Sequence, residues 1–190
     1  IHTLGNSFIP RRDFHKWTRW YQEDGNTQVF RLFEGEHNVR NQRANAARIE
    51  AFSAMKWTRG AWHEWEGTYT LIRPQGAIFQ AKNIKNAWSV MIMANREGDV
   101  KLNHRRHQKD KIIARDMIGK PFHLRVRDNG HDYEVYFNGK RVGAGHFDRP
   151  EGHNTFRWGM YVGGKTLVKY DAMLLVTGAK FRKVPLAGER

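Results

Sequence analysis

The chain contains no cysteine among its 190 residues, so disulfides contribute nothing to its stability. A chain of this length can bury an adequate core without such cross-links, and their absence therefore does not decide between compartments. Long apolar runs are also missing, because the longest, 172–176, has only five residues. A membrane-spanning helix needs about 20. The sequence thus predicts no membrane partner, and the printed residues show no signal-peptide pattern.

Motifs that hold metals or phosphates are absent as well. The ten histidines are scattered, and there is no His-Glu-x-x-His, no glycine-rich phosphate loop and no Gly-x-Ser-x-Gly turn. Glu64 and Glu66 share one face of a strand-like run, but the further acidic partner expected for glycoside hydrolysis is missing. A solvated sheet face is the simpler interpretation of that pair. No metal site and no required cofactor are predicted.

Negative charge is scarce relative to positive charge. Against 33 Lys and Arg stand 19 Asp and Glu, giving a formal net charge of +14. This balance favours a polyanionic partner through long-range attraction. Nucleic acid and acidic polysaccharide are the two candidates. The basic residues are spread over the whole chain instead of forming a basic helix or tail, which weakens the nucleic-acid interpretation.

Strand signals dominate what the sequence does contain. Short runs rich in β-branched and aromatic residues cover 28–33, 68–72, 89–93, 122–127 and 133–137. Turn residues separate them, as at Asp128-Asn129-Gly130. Helical periodicity is confined to one or two turns over 108–117, and 11–21 is ambiguous. The pattern predicts one all-β domain over 1–190, a β-jelly roll that sandwiches two antiparallel, concanavalin-like sheets around a core and carries a concave groove.

Three alternating segments place charged or amide groups on one strand face each. Side chains two apart on a strand point the same way. The resulting pairs are Arg48 with Glu50, Gln80 with Lys82, and Arg157 with Tyr161. The same alternation directs Val100 and Leu102 inward and leaves Lys101, Asn103 and Arg105 outward. If these strands are neighbours, they form a cation-rich polar surface that suits an anionic polymer.

Such a set has a specific chemical use. Elimination across the C4–C5 bond of a 4-linked uronic acid requires a group that neutralises the carboxylate, a base for the C5 proton and an acid for O4. Arg48 and Gln80 can neutralise, Lys82 can act as the base, and Tyr161 can serve as acid or base. Taken singly, each has a simpler explanation, such as an exposed ion pair worth little energy. Their occurrence together favours a site.

The three segments resemble those of the β-jelly-roll polysaccharide lyases that act on alginate and glucuronan. In the alginate lyases the pattern runs Arg-[Ser/Thr]-Glu-Leu-Arg, then Gln-[Ile/Val]-His, then Tyr-Phe-Lys-Ala-Gly-x-Tyr. The corresponding segments here are 48–52 (Arg-Ile-Glu-Ala-Phe), 80–82 (Gln-Ala-Lys) and 155–161 (Thr-Phe-Arg-Trp-Gly-Met-Tyr). Their order is that of the family, and 24–161 is similar to its body. The main departure is Lys82, where many members have histidine.

The resemblance implies β-elimination of a 1,4-linked polyuronate. It makes Arg48 and Gln80 carboxylate neutralisers, Tyr161 the acid, and Lys82 a base whose pKa nearby arginines would lower. Substrate contacts are expected from Glu50, Asn103, Arg105, Arg157 and Tyr136. The resemblance further implies a secreted or periplasmic monomer that needs no cofactor, and it allows a structural Ca²⁺ with Asp171 as a ligand.

Two other functions remain open at this point. A non-catalytic carbohydrate-binding module of the same fold would keep arginine and tryptophan contacts without needing an acid or a base. A basic β-rich nucleic-acid binder would carry aromatic side chains interleaved with cations on a single face. The choice among mannuronate, guluronate and glucuronate is not encoded in these motifs, because the C5 epimers carry the same charge.

Overall fold

Two antiparallel seven-stranded sheets make up the fold in the computed structural model, which describes residues 1–4, 9–38, 46–53, 56–105, 109–163 and 167–184. Strands are numbered in chain order. Sheet A has the order β1 (His2–Thr3), β4 (Ala47–Phe52), β13 (Asn154–Val162), β6 (Gly76–Asn83), β7 (Trp88–Ala94), β8 (Val100–His104) and β9 (Lys111–Ala114). Sheet B has the order β12 (Lys140–His146), β11 (Asp132–Phe137), β10 (Phe122–Asp128), β5 (His63–Arg73), β14 (Ala172–Lys183), β3 (Thr27–Leu32) and β2 (Tyr21–Asp24).

The core lies between the two sheets and is built by alternation along their strands. In β8, Val100 and Leu102 are fully buried while the residues between and after them are half-buried. Aromatic rings join the layers: Trp65 of sheet B lies 4.9 Å from Phe79 and 5.4 Å from Trp158 of sheet A, between ring centroids. Because apolar side chains fill the inner face of sheet A, its polar side chains lie on the opposite face, called here the open face.

A buried polar link also connects the sheets at one end. Asp128 of β10 accepts a hydrogen bond of 2.9 Å from the hydroxyl of Ser89 in β7. The guanidinium of Arg149 pairs with the same carboxylate, and all three side chains are buried. Burial raises the pKa of Asp128, while Arg149 and the hydrogen bonds act in the opposite direction. This network fixes β7 relative to β10.

The all-β jelly-roll prediction is confirmed, and so are the five predicted strands, each of which overlaps an observed one. The helical turns predicted over 108–117 are wrong for the described part of that segment. Lys111–Ala114 forms β9, the edge strand, in which Ile112 pairs with Lys101. Gln108 lies outside the described residues. In the ambiguous stretch 11–21, a 3₁₀ helix (η1) covers Arg11–Lys16. Pairing with a neighbouring strand decided the conformation of β9, and a local pattern does not encode that neighbour.

Candidate active site

The residues predicted to act together come from three neighbouring strands of sheet A. β13 lies between β4 and β6, and its Tyr161 pairs with Arg48 of β4. Arg157 of β13 pairs with Gln80 of β6. Side chains of directly paired residues in antiparallel strands share a face, and these alternate with core residues, so that face is the open one. The fold therefore brings the three polar segments together on one surface.

A buried acid–amide pair occupies the centre of this surface. Nε2 of Gln80 donates a 2.7 Å hydrogen bond to Oε2 of Glu50, although β13 separates their two strands. The β13 residue paired with Glu50 is Gly159, which has no side chain to fill the space between them. Its φ is +130°, and a Cβ there would lie 2.3 Å from the carbonyl oxygen of Ile49. Glycine at this position is thus required by the backbone conformation and by the close approach of β4.

Arg48 connects this buried acid to Tyr161. Its Nη1 lies 3.7 Å from Oε1 of Glu50, and its guanidinium carbon lies 4.5 Å from the centroid of the Tyr161 ring, within cation–π range. Among the described residues, neither Nε of Arg48 nor Oε1 of Glu50 has a hydrogen-bond partner, and both are buried. Leaving such groups unsatisfied costs about 1–3 kcal/mol each. Cost of this kind is tolerated chiefly where function requires the arrangement.

Burial corrects the role predicted for Glu50. Its side chain and that of Gln80 are each only 1% exposed, so Glu50 cannot make the direct substrate contact that the sequence predicts. Glu50 instead orients Arg48 and Gln80 from beneath. The groups of this set that reach the surface are each half-buried: Arg48, Arg157, Lys82 and Tyr161.

Lys82 has the electrostatic environment expected of a base. Burial, together with the charges of Arg157 and Arg48, lowers its pKa to about 8, and Glu50 partly offsets this lowering. The charge of Arg105 does not contribute to this lowering of the Lys82 pKa. No carboxylate within the described residues forms an ion pair with the Lys82 ammonium. Roughly a tenth of this side chain is consequently a neutral amine at pH 7, far more than for an ordinary lysine.

Arg105 lies at the end of β8 together with an aromatic ring that the sequence motifs did not identify. Its guanidinium carbon is 5.3 Å from the centroid of Trp88. Trp88 pairs with Lys82 across β6 and β7, which places the indole on the open face beside the lysine. Arg105 therefore lies close to Lys82, on the face where the sequence predicts it. The sequence did not identify Trp88, because its seven tryptophans occupy both core and surface positions. Only the pairing of Trp88 with Lys82 shows which one lies beside the site.

A cavity of about 560 Å³ extends the open face toward β8 and β9. One row of paired residues leads into it, from Tyr161 to Ala77, Met93 and Lys101. Met93 and Lys101 line the cavity. Asn103, a predicted substrate contact, lies two residues from Lys101 on the same face of β8 and is half-buried. Asn103 pairs with Met91, which in turn pairs with Gln80, so the structure places Asn103 in the same row as the candidate site.

Tyr136 is the predicted contact that the structure does not bring to the site. It belongs to β11 of sheet B and alternates with buried Val135, so its ring lies on the outer face of that sheet. Its hydroxyl donates to Glu134 at 2.8 Å, and the guanidinium carbon of Arg125 lies 4.1 Å from its ring centroid. The prediction for Tyr136 is wrong because alternation assigns a face within a sheet but does not say which sheet.

His2 joins the site although sequence reasoning passed over it. It pairs with Glu50 across β1 and β4, next to fully buried Thr3, so its ring lies on the open face. Burial, together with the charges of Arg48, Arg157 and Lys82, lowers the pKa of His2 to about 3. A two-residue strand leaves no periodic signal in the sequence, which is why it was missed.

The described ranges contain neither a cluster of metal-ligating side chains nor a helix that could span a membrane. They contain no group of three or more His, Asp or Glu side chains arranged to hold a metal ion. Asp171, the predicted Ca²⁺ ligand, accepts a 3.0 Å hydrogen bond from the backbone N–H of Glu34. No helix in the same ranges is long and apolar enough to cross a bilayer.

The backbone is similar to those of solved alginate lyases. Alginate lyase AlgAT5 from Polysaccharide Lyase family 7 is 14% identical, covers 93% of this chain and 89% of its own, and gives a TM-score of 0.72. Alginate lyase A1-II′ of the same family is 13% identical over 88% and 85%, with a TM-score of 0.71. Alginate lyase PA1167 from Pseudomonas aeruginosa is 14% identical over 90% of each chain, with a TM-score of 0.68. No protein-family model and no curated protein matches the sequence. At these identities the likeness establishes the jelly-roll fold.

Proposed function

We propose that the protein is a polysaccharide lyase that cleaves a 1,4-linked polyuronate, alginate or glucuronan, by β-elimination. The observation that carries this proposal is the convergence of Lys82, Tyr161 and two arginines on one sheet face, with the pKa of Lys82 lowered to about 8. The products would be a new reducing end and a 4,5-unsaturated uronate at the new non-reducing end. The family-7 lyases of the same fold support this chemistry by likeness.

Carboxylate neutralisation falls to Arg157 and Arg48 in this mechanism. A guanidinium can hold a carboxylate through two parallel hydrogen bonds, which lysine cannot do. The C5 proton becomes acidic only when negative charge developing on the carboxylate is stabilised. Gln80 and Glu50 contribute indirectly, because their 2.7 Å hydrogen bond and the Arg48–Glu50 ion pair hold the guanidinium in place.

Proton transfer then requires one acceptor and one donor. The neutral amine of Lys82 takes the C5 proton, and the released electron pair forms the C4=C5 double bond as the C4–O4 bond breaks. The hydroxyl of Tyr161 protonates the departing O4. Exchange with solvent afterwards returns a proton to Tyr161 and removes one from Lys82. Trp88, beside Lys82, offers a ring on which a neighbouring sugar can stack.

A binding module of the same fold is the second candidate, and the environment of Lys82 argues against it. A module gains affinity from fully charged cations, whereas here burial and two arginines lower the pKa of Lys82 to about 8 and make its neutral amine more accessible. A nucleic-acid surface is supported less. Within the described residues the open face presents two arginine–aromatic contacts, Arg105 with Trp88 and Arg48 with Tyr161, and not a longer series of them.

The decisive experiment compares Tyr161→Phe with Tyr136→Phe on a panel of alginate blocks and glucuronan. Ultraviolet absorbance of the conjugated unsaturated uronate reports turnover. Tyr161→Phe should lower kcat by roughly 10²–10⁴-fold while polymer binding is retained, because only the acidic hydroxyl is lost. Tyr136→Phe should match the wild type, since that ring lies on the outer face of sheet B.

Other outcomes would assign the protein differently. Binding of every polyuronate in the panel without any gain in absorbance would support the carbohydrate-binding module. Tight, salt-sensitive DNA binding with no glycan binding would support the nucleic-acid binder.

A further inference from the structure

His2 is the titratable group of the open face that the mechanism above does not use. Its strand, β1, adds to the free edge of β4 and places His2 directly opposite Glu50. The hydrogen-bonded pair of strands continues with the backbone N–H of Leu4, which donates to the carbonyl of Arg48 at 3.0 Å. β1 is thereby held beside Arg48 and Glu50.

The charges around His2 favour a neutral imidazole. Among the described residues, the charged groups near it include Arg48, Arg157, Lys82, the amino-terminal group and, across the strand pair, Glu50. Burial and the four positive charges together lower its pKa to about 3. A neutral imidazole keeps one ring nitrogen as an acceptor. A uronate carboxylate bound to the arginines would offset their charge and raise the basicity of that nitrogen.

His2 and Lys82 lie on opposite sides of the arginine pair. Their strands, β1 and β6, are separated by β4 and β13, which is about three strand spacings or ~14 Å across the sheet. Along β13, His2 lies in the row of Gly159 and Lys82 in the row of Thr155, an offset of ~13 Å. A sugar held over Arg48 and Arg157 therefore has a nitrogen base on either side. Mannuronate and guluronate differ only in configuration at C5, and the C5 hydrogen of one epimer is directed opposite to that of the other relative to a fixed carboxylate.

We propose that His2 is a second proton acceptor, which takes the C5 proton of the uronate epimer whose C5–H bond is directed away from Lys82. This rests on the proposed lyase function. The imidazole nitrogen gains the C5 proton, the electron pair forms the C4=C5 bond, the C4–O4 bond breaks, and Tyr161 protonates O4 as before. Solvent then removes the proton from His2. Lys82 serves the other epimer.

The test measures kcat and KM of His2→Asn and Lys82→Met on purified poly-mannuronate and poly-guluronate. His2→Asn should lower kcat on one polymer by roughly 10²-fold or more and leave KM and the other polymer nearly unchanged. Lys82→Met should show the reverse preference. His15→Asn, at an exposed surface position, should behave as the wild type on both polymers and serves as the matched control.

The outcomes separate this inference from the proposed function. A wild-type protein that cleaves neither these polymers nor glucuronan would overturn the lyase function itself. If the wild type cleaves both polymers but His2→Asn lowers kcat equally on both, or on neither, the second-acceptor role is wrong while the lyase function stands. Cleavage of only one of the two polymers by the wild type would likewise overturn the two-base inference alone.

Discussion

Burial and the positive charges of Arg157 and Arg48 lower the pKa of Lys82. The lowered pKa should determine how catalysis depends on pH. The pKa of Lys82 is lowered to about 8, and the base is its deprotonated form. The kcat/KM for polyuronate should therefore rise as pH increases through about 8, because a larger fraction of enzyme then carries a neutral amine.

Two variants sharpen this measurement. Arg157→Gln removes the largest charge effect on Lys82, so the midpoint of the surviving activity should move to higher pH. Lys85→Gln removes one positive charge from an exposed turn and should leave the midpoint unchanged. A profile that is flat between neutral and alkaline pH would contradict the assignment of Lys82 as the base.

At this scale the sequence predicted some site residues well and others badly, for a physical reason. Alternation places Arg157 and Lys82 on the polar side of their strands, and strand pairing kept them there. Tyr136 also lies on a polar side, as predicted, but that side belongs to the other sheet. His2 and Trp88 reach the site only through partners distant in sequence, Glu50 and Lys82. Long-range pairing is the information that local patterns lack.

Among the strands, β13 lies at the centre of the site between β4 and β6. A substitution at its Gly159 tests how far the site depends on the conformation of this strand. Gly159→Ala places a Cβ 2.3 Å from the carbonyl oxygen of Ile49 at a φ of +130°. The free energy of unfolding should fall by at least about 1–3 kcal/mol, as measured by urea denaturation. Catalysis should fall as well, because the Gln80–Glu50 hydrogen bond crosses β13 at this residue.

Gly25→Ala provides the control for backbone conformation alone. Gly25 also has a positive φ, +60°, but nothing lies within 4 Å of a Cβ there. It should cost less stability than Gly159→Ala and leave kcat unchanged. Equal effects of the two substitutions on stability and activity would show that the steric contact with β4 is unimportant.

The contact between β7 and β10 depends on a buried ion pair whose loss should be severe. Arg149→Ala would leave the buried carboxylate of Asp128 without its countercharge, and breaking such a pair from one side costs roughly 3–5 kcal/mol. Arg141→Ala removes an exposed arginine paired with Glu134 at 3.7 Å and should cost less than about 1 kcal/mol. Chemical denaturation of both variants checks the difference. A similar, small loss for both would mean that the buried pair contributes little.

At the level of elements, the fold class followed from composition and turns, whereas one edge strand did not. The residues of β9 include two adjacent isoleucines and one charged side chain, Lys111. They lie within a weak helical pattern and have no strand signal as strong as 122–127. They became a strand because β8 offered unpaired backbone groups, to which Lys111 and Ile112 bind in register. An edge position is a property of the assembled sheet and cannot be read from a window of ten residues.

For the whole molecule, the net charge of +14 and the charged side chains of the site contribute separately to the binding of a polyanion. Ion pairs cover much of the outer face of sheet B, where Glu64 contacts Arg125 and Arg182. The open face instead keeps Lys82 free of carboxylate partners within the described residues. Net charge therefore acts at long range to attract a polyanion, while the cations of the open face, such as Lys82 and Arg157, act at short range to bind it.

This division predicts how salt should affect turnover. Added NaCl should lower kcat/KM for a polyuronate, because encounter depends on a field that is screened beyond about 10 Å at 0.1 M ionic strength. Saturating kcat should change little, since the arginines and the bound carboxylate are in contact. Arg141→Glu with Lys180→Glu, both on sheet B, would lower the net charge by four away from the site. This variant should lose kcat/KM at low salt and match the wild type at high salt. Persistence of its defect at high salt would show that the distant charges act through structure and not through long-range attraction.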